Sequence, residues 1–250
     1  MKLLTCLFAC SVAFGQAVAE ENWPAFRGPK ALGVSDNPSL PLEWSDKKNV
    51  EWKVAVPGLG WSNPVVHSGR IYLTTAVSDG EIEKRKPGLY FGGDRKEPIK
   101  HMHQFLVLCL ELKTGDFLWQ KEVLAIRPLT PIHVKNSYAA ETPVTDGDRV
   151  YAYFGSHGLY CLDKTGKVLW KKMFKPYKMR NGWGTAASPV LDEGKLIIVN
   201  DNMEDSWAAA YDKVTGRELW KTKRDEPSNW ATPYVWHHDG IKELVLTGRN

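Results

Sequence analysis

One phrase recurs three times in this chain and limits what the chain can fold into. It runs Leu108-Cys-Leu-Glu-Leu-Lys-Thr-Gly-Asp-Phe-Leu-Trp119, then Gly158-Leu-Tyr-Cys-Leu-Asp-Lys-Thr-Gly-Lys-Val-Leu-Trp170, then Ala209-Ala-Tyr-Asp-Lys-Val-Thr-Gly-Arg-Glu-Leu-Trp220. Each copy reads as an apolar strand, a tight turn built on an acidic residue and Thr-Gly, and a second strand that ends in Trp. Trp119, Trp170 and Trp220 stand 51 and 50 residues apart. A fixed period of that length, made of strands, is the signature of propeller blades.

A second phrase precedes each hairpin: Ser62-Asn-Pro-Val-Val66, Glu141-Thr-Pro-Val-Thr145, Ala187-Ser-Pro-Val-Leu191 and Ala231-Thr-Pro-Tyr-Val235. A Gly turn and an apolar run follow it. One unit therefore holds four strands, A to D. The pattern predicts an all-β propeller with three complete blades, at about 61–123, 140–173 and 187–222, and a half-blade from Ala231. Asn49–Val56 resembles a strand D without its own A, B and C, with Trp52 at the repeat position. Such a strand is expected to close the ring by completing the last blade. A ring of seven or eight blades needs well over ~300 residues. The chain is thus expected to be an incomplete propeller, with residues 49–250 as the propeller domain and the Trp52 strand lacking its partner. The three repeat Trp residues are expected to be largely buried at blade interfaces.

The pattern Pro-Val, Gly, Val-Tyr, Leu-Asp-x-x-Thr-Gly-x-x-x-Trp resembles the pyrroloquinoline-quinone (PQQ) type propeller repeat. Quinoprotein alcohol dehydrogenases share that repeat with BamB, a periplasmic subunit of the outer-membrane β-barrel assembly machinery. Asn22-Trp-Pro-Ala-Phe-Arg-Gly-Pro29 and Lys135-Asn-Ser-Tyr138 resemble segments of secreted bacterial PQQ-like propellers. The resemblance covers about residues 22–250 and concerns residues that hold blades together. Two functions follow from it as expectations: an exported binding or scaffold propeller, BamB-like in broad class, or a dehydrogenase using PQQ and calcium. A polysaccharide-active enzyme on the same face is a third. The vicinal Cys-Cys pair typical of quinoprotein alcohol dehydrogenases is absent from the sequence, as is a Cys-x-x-Cys-His haem site. PQQ and calcium are therefore not expected here.

Residues 1–19 read as a secretory signal peptide, with Lys2, an apolar stretch from Leu3 to Phe14, and Ala17-Val18-Ala19 before the cleavage point. The apolar stretch is too short to span a bilayer. Lipidation at Cys10 is a minor alternative. Both readings place the protein in the periplasm or outside the cell. Without Lys2, 32 of the 33 basic side chains remain against 29 acidic ones, a balance too even to argue for nucleic acid. Residues 20–48 are predicted to wrap the outside as an irregular arm, pinned by Trp23, Phe26 and Trp44. Cys109 and Cys161 occupy equivalent strand C positions in neighbouring blades and are expected to be small buried hydrophobes, too far apart for a disulfide. The insert 77–104 separates strands B and C of blade 1. It carries six Lys and Arg residues between Lys84 and Lys100 and reads as a solvated loop, a lid or a partner-binding patch.

No nucleophile motif, metalloprotease motif or phosphate loop is present, so catalytic residues stay unassigned. Candidate ligand residues come from topology instead. In a propeller the D-to-A and B-to-C connections share one face around the channel mouth. Here they carry Asn136 and Tyr138; His157; Arg180, Asn181 and Trp183; Asp201 and Asn202; and Trp230. Aromatic rings beside amide and carboxylate groups suit a polar, ring-shaped ligand such as a sugar or a quinone. The partner is expected to be a protein or a glycan. His101 and His103 lack further ligands for a metal site and read as surface residues with both rings on one side. The acidic stretch Asp201–Asp205 reads as a solvated loop rather than a calcium loop.

Overall fold

The computed structural model describes residues 22–248; the expected signal segment and Cys10 lie outside them. Three four-stranded antiparallel sheets and one two-stranded sheet follow each other in chain order. Blade 1 comprises β1 (Val65–His67), β2 (Arg70–Ser78), β3 (His103–Glu111) and β4 (Phe117–Ile126). Blade 2 comprises β5 (Val144–Thr145), β6 (Arg149–Tyr153), β7 (Leu159–Asp163) and β8 (Val168–Lys172). Blade 3 comprises β9 (Val190–Asp192), β10 (Lys195–Asn200), β11 (Trp207–Asp212) and β12 (Glu218–Lys223). The half-blade comprises β13 (Tyr234–His238) and β14 (Ile241–Val245). Each sheet is a meander, and the inner strands β1, β5 and β9 neighbour one another around the axis.

The Thr-Gly phrase folds as its chemistry dictates. The Asp163 carboxylate accepts hydrogen bonds from the backbone N–H groups of Thr165 and Lys167 and from the Thr165 hydroxyl. Asp212 closes its turn the same way with Val214 and Thr215. The Gly that follows takes positive φ: 78° at Gly115, 86° at Gly166 and 71° at Gly216, a conformation that costs a residue with Cβ. Past each turn the ladder slips by one residue. Cys109, Cys161 and Ala210 stand opposite Trp119, Trp170 and Trp220, and Leu118, Leu169 and Leu219 are the extra residues. These bulges turn the Trp ring toward the next blade.

There each ring docks on the next turn. A Cβ on Gly166 would sit 2.9 Å from Trp119, and one on Gly216 would sit 2.8 Å from Trp170. The indole N–H of Trp119 donates to the Lys164 carbonyl (3.0 Å), and that of Trp170 to the Lys213 carbonyl (3.2 Å). Glycine is needed twice over, for its φ and for the space the ring occupies. The rings are mostly covered but not fully buried, and Trp119 and Trp170 pack against the cores between blades. Trp220 meets no such turn among the described residues.

Trp52 behaves as a fourth member of the series. It lies over Gly115, where a Cβ would approach to 2.5 Å, and donates to the Leu112 carbonyl at 3.0 Å. Trp52 and Val54 pack against Ile71, Leu108 and Leu110 on the outer face of blade 1. Residues 49–56 form no ladder of their own among the described residues.

Two cores lie between blades. Val65, Tyr72, Phe105 and Cys109 meet Val150, Phe154 and Leu162 between blades 1 and 2. Tyr151, Tyr153 and Cys161 meet Leu196, Ile198 and Tyr211 between blades 2 and 3. The middle strands β6 and β10 are buried on both faces, as their continuous apolar runs require. Cys109 and Cys161 are free and fully buried in different cores. Burial raises both thiols, to about 11 and about 12.

The N-terminal arm corrects the expectation of an outer wrap. Trp23 exchanges two 2.8 Å backbone hydrogen bonds with Val66 on the inner strand β1, and the Thr145 N–H on β5 donates to the Pro24 carbonyl. Trp23 and Pro24, at the start of the arm, thus lie against the inner strands and satisfy part of their free edges. Trp44, 72% exposed, pins nothing.

Candidate functional site

The mouth is built from loops that hold one another. The His133 N–H donates to the Trp183 carbonyl, and the Asn136 amide donates to the carbonyls of Trp183 (2.9 Å) and Thr185 (3.3 Å). Trp230 donates its indole N–H to the Gly184 carbonyl at 2.7 Å, and its ring lies 6.3 Å from that of Trp183. Asn136, Trp183 and Trp230 therefore come together across three successive D-to-A loops. Asn181 sits at φ 53° in a short 3-10 turn, Arg180–Gly182, and Arg180 is exposed beside it.

The insert between β2 and β3, residues 79–102, closes over this group. Its Arg95 N–H donates to the Asn181 carbonyl, Trp183 donates to the Gly93 carbonyl, and Arg85 donates to the Asn136 carbonyl. Phe91 packs edge-on against Trp183, with ring centroids 5.4 Å apart. The insert is therefore not a free solvated loop: it covers the mouth as a lid does, and the partner-binding reading is left open by this geometry. A cleft of about 640 Å³ remains beneath it, lined by Leu59, Ile99, His103, Ile132 and Tyr138 among others.

Four nominated residues are consumed by the fold. His157 is buried, with its Nδ1–H donating to the Phe154 carbonyl and its Nε2 accepting the Leu129 N–H. Burial lowers its pKa to about 4, so it is neutral and has no free ring nitrogen. It stacks on Phe105, with Tyr138 edge-on to it. The Tyr138 hydroxyl donates to the Thr130 carbonyl and accepts the Ile99 N–H. Asp201 has a fully buried side chain that receives Arg224 through Nε (2.7 Å) and Nη2 (3.2 Å). Asn202 caps its own loop, accepting the N–H groups of Glu204 and Asp205. The start of the 201–205 stretch is thus a buried, neutralised loop, not a solvated one. The two histidines also part company: His101 is exposed, whereas His103 is buried, and its burial lowers its pKa. Among the described residues no group of three or more His, Cys, Asp or Glu is placed to hold a metal ion.

A family model described as outer membrane protein assembly factor BamB matches residues 103–234, more than half of the chain. The chain belongs to that family. The outer membrane protein assembly factor BamB of Burkholderia pseudomallei (strain K96243) is 25% identical over 205 residues, which are 74% of this chain and 50% of the relative. The chain therefore spans about half the length of the curated relative it matches. Two solved quinohemoprotein alcohol dehydrogenases share the fold at 18% identity and a TM-score of 0.51. ADHIIG of Pseudomonas putida HK5 covers 81% of this chain, which spans 26% of it; the Comamonas testosteroni enzyme covers 81%, and the chain spans 27% of it. The repeat is thus of the PQQ-like, BamB-like type. No helix among the described residues is long and apolar enough to cross a membrane.

Within this BamB-type scaffold, two features escaped the reading of the sequence. The residue before each repeated proline links blades: Asn63 N–H donates to Thr142 Oγ1, Thr142 N–H to Ser188 Oγ, and Ser188 N–H to Thr232 Oγ1, each at 3.0 Å. The recurrence of Asn, Thr, Ser and Thr at that position was the available signal. The second feature is Glu141, fully buried behind the channel wall. Burial pushes its carboxyl up to about 7 despite a hydrogen bond from Thr185, and its Oε1 has no partner. Glu141 stands where the other units have Ser62, Ala187 and Ala231, which marks it as the exception.

Proposed function

We propose that this protein is an exported, non-catalytic binding propeller that engages a protein or glycan through its lidded loop face. The propeller domain is residues 49–250, preceded by a signal segment at 1–19 and the N-terminal arm at 20–48. The observation that carries the reading is the state of the mouth residues. Asp201 is neutralised by Arg224, and His157 has both nitrogens committed to main chain. The acid–base groups nominated at the mouth are therefore spent on structure. The lid leaves Leu89 and Phe91 exposed at its tip, next to Lys84 and Lys86. Exposed apolar side chains rimmed by charge suit a docking surface. Family membership and the Burkholderia pseudomallei relative support a periplasmic scaffold role.

A photo-crosslinking residue placed at Phe91, and separately at Leu169 on the outer rim of blade 2, tests this. Periplasmic extract should give defined adducts at position 91 and none at 169. Equal labelling at both positions, or none at 91, contradicts the reading.

A further inference from the structure

The inner wall of the channel presents hydrogen-bond donors without matching acceptors. In the chain that links the blades, Thr142, Ser188 and Thr232 each use the hydroxyl oxygen to accept a backbone N–H. A hydroxyl has one hydrogen to give as well. None of these three hydrogens meets an acceptor among the described residues. The three hydroxyls line one cleft of about 960 Å³, together with Arg27, Lys135 and Trp230. Among the described residues no Asp or Glu lines that cleft.

The cations around it are also unpaired. Arg27 donates to the Leu32 carbonyl, and Lys135 to the Gly88 carbonyl. Arg85, which lines the neighbouring cleft under the lid, lies at the border, with its guanidinium 4.8 Å from the centre of the Trp61 ring and donating to the Asn136 carbonyl. None of the three has a carboxylate within ion-pair distance among the described residues. Burial acts against the charge of Arg85, and an anion beside it would offset that cost. Two lining cations with Arg85 at the border, and three free hydroxyl donors with no facing acid, select an acceptor-rich anion.

The same wall argues against a peptide as that anion. A peptide adding as a strand needs free main-chain groups. Here the N–H groups of Trp61, Ser62, Asn63, Thr142 and Ser188 are already engaged. What stays accessible is aromatic surface, with Trp61 53% exposed although Arg85 covers one face of its ring, beside hydroxyl and cationic donors. A pyranose ring lies on such a surface, and its carboxylate meets the cations.

We propose that the axial cleft binds an oligosaccharide bearing uronic acids. The carboxylates meet Arg27 and Lys135, and ring and hydroxyl oxygens accept from Thr142, Ser188 and Thr232. The proposal rests on reading the loop face as a binding surface and names the class of ligand. Calorimetric titration of the whole chain with trigalacturonate, trimannuronate and neutral galactotriose tests it. At least one uronate should bind ten-fold or more tighter than galactotriose and weaken as salt is raised. The Arg27→Met, Lys135→Met double variant, with an unchanged melting curve, should lose about ten-fold of that affinity. Galactotriose binding as tightly as the uronates overturns the charge argument while leaving a glycan-binding function intact. Tighter binding of an eight-residue glutamate peptide overturns it in favour of a protein ligand. Failure of both uronates to bind overturns it outright, and the crosslinks at position 91 then report on the loop face independently.

Discussion

Replacing Glu141 with Gln should make the protein more stable above neutral pH and change it far less in mild acid. In the folded chain the carboxyl is fully buried and holds its proton up to about pH 7; in the unfolded chain it releases it near ~4.3. Between those values the unfolded state binds fewer protons, so stability falls as pH rises. The contribution is complete below about pH 4 and lost once pH passes the folded value of about 7. At about 1.4 kcal/mol per tenfold change in proton activity, the loss is about 3–4 kcal/mol. The groups facing Glu141 do not titrate in this window, because burial raises the hydroxyls of Tyr153 and Tyr177 far above neutrality. Gln keeps the shape of the protonated acid and carries no charge at any pH. Urea unfolding followed by Trp fluorescence, with both proteins at pH 5 and pH 8, supplies the comparison. The difference cancels other groups, including His157, whose lowered pKa costs stability on the acid side. The variant should exceed the parent by only about 1 kcal/mol at pH 5 and by about 3–4 kcal/mol at pH 8. A gap that is the same at both pH values would refute the reasoning.

Two further substitutions probe the blade architecture. Trp170→Ala removes a half-buried ring and its 3.2 Å bond to the Lys213 carbonyl; it should cost about 2–3 kcal/mol, below the range for fully buried Trp. A cost under about 0.5 kcal/mol in urea unfolding would mean the docking is incidental. Asp201→Asn leaves Arg224 half-answered in a site only 14% exposed; it should cost about 2–4 kcal/mol. An unchanged midpoint would return Asp201 to the list of free ligand groups.

The blades were legible because their signals are local. An acidic residue, Thr-Gly and Trp lie within a dozen positions, and each makes its contact at the turn or on the adjoining blade. The arm was not legible. Its path depends on two hydrogen bonds from Trp23 to Val66, 43 positions away, and nothing in Trp-Pro-Ala-Phe announces an inner strand edge. Asp201 looked solvated for a similar reason: its partner Arg224 is 23 residues on and follows a different strand. His103 looked exposed because strand alternation gives a side but not what covers it. At the mouth, topology correctly gathered Asn136, Trp183 and Trp230, whereas the burial of His157 and Asn202 arises from packing between loops.

The central claim is that this BamB-type propeller binds without catalysing, and quinone retention tests it most directly. Purified protein is soaked with PQQ and calcium, desalted, and read for bound quinone absorbance. The Trp183→Ala variant, matched in unfolding midpoint, runs beside it. The account predicts no retained quinone in either protein. Stoichiometric retention in the parent, abolished by Trp183→Ala, would contradict it and place a quinoprotein dehydrogenase ahead of the scaffold.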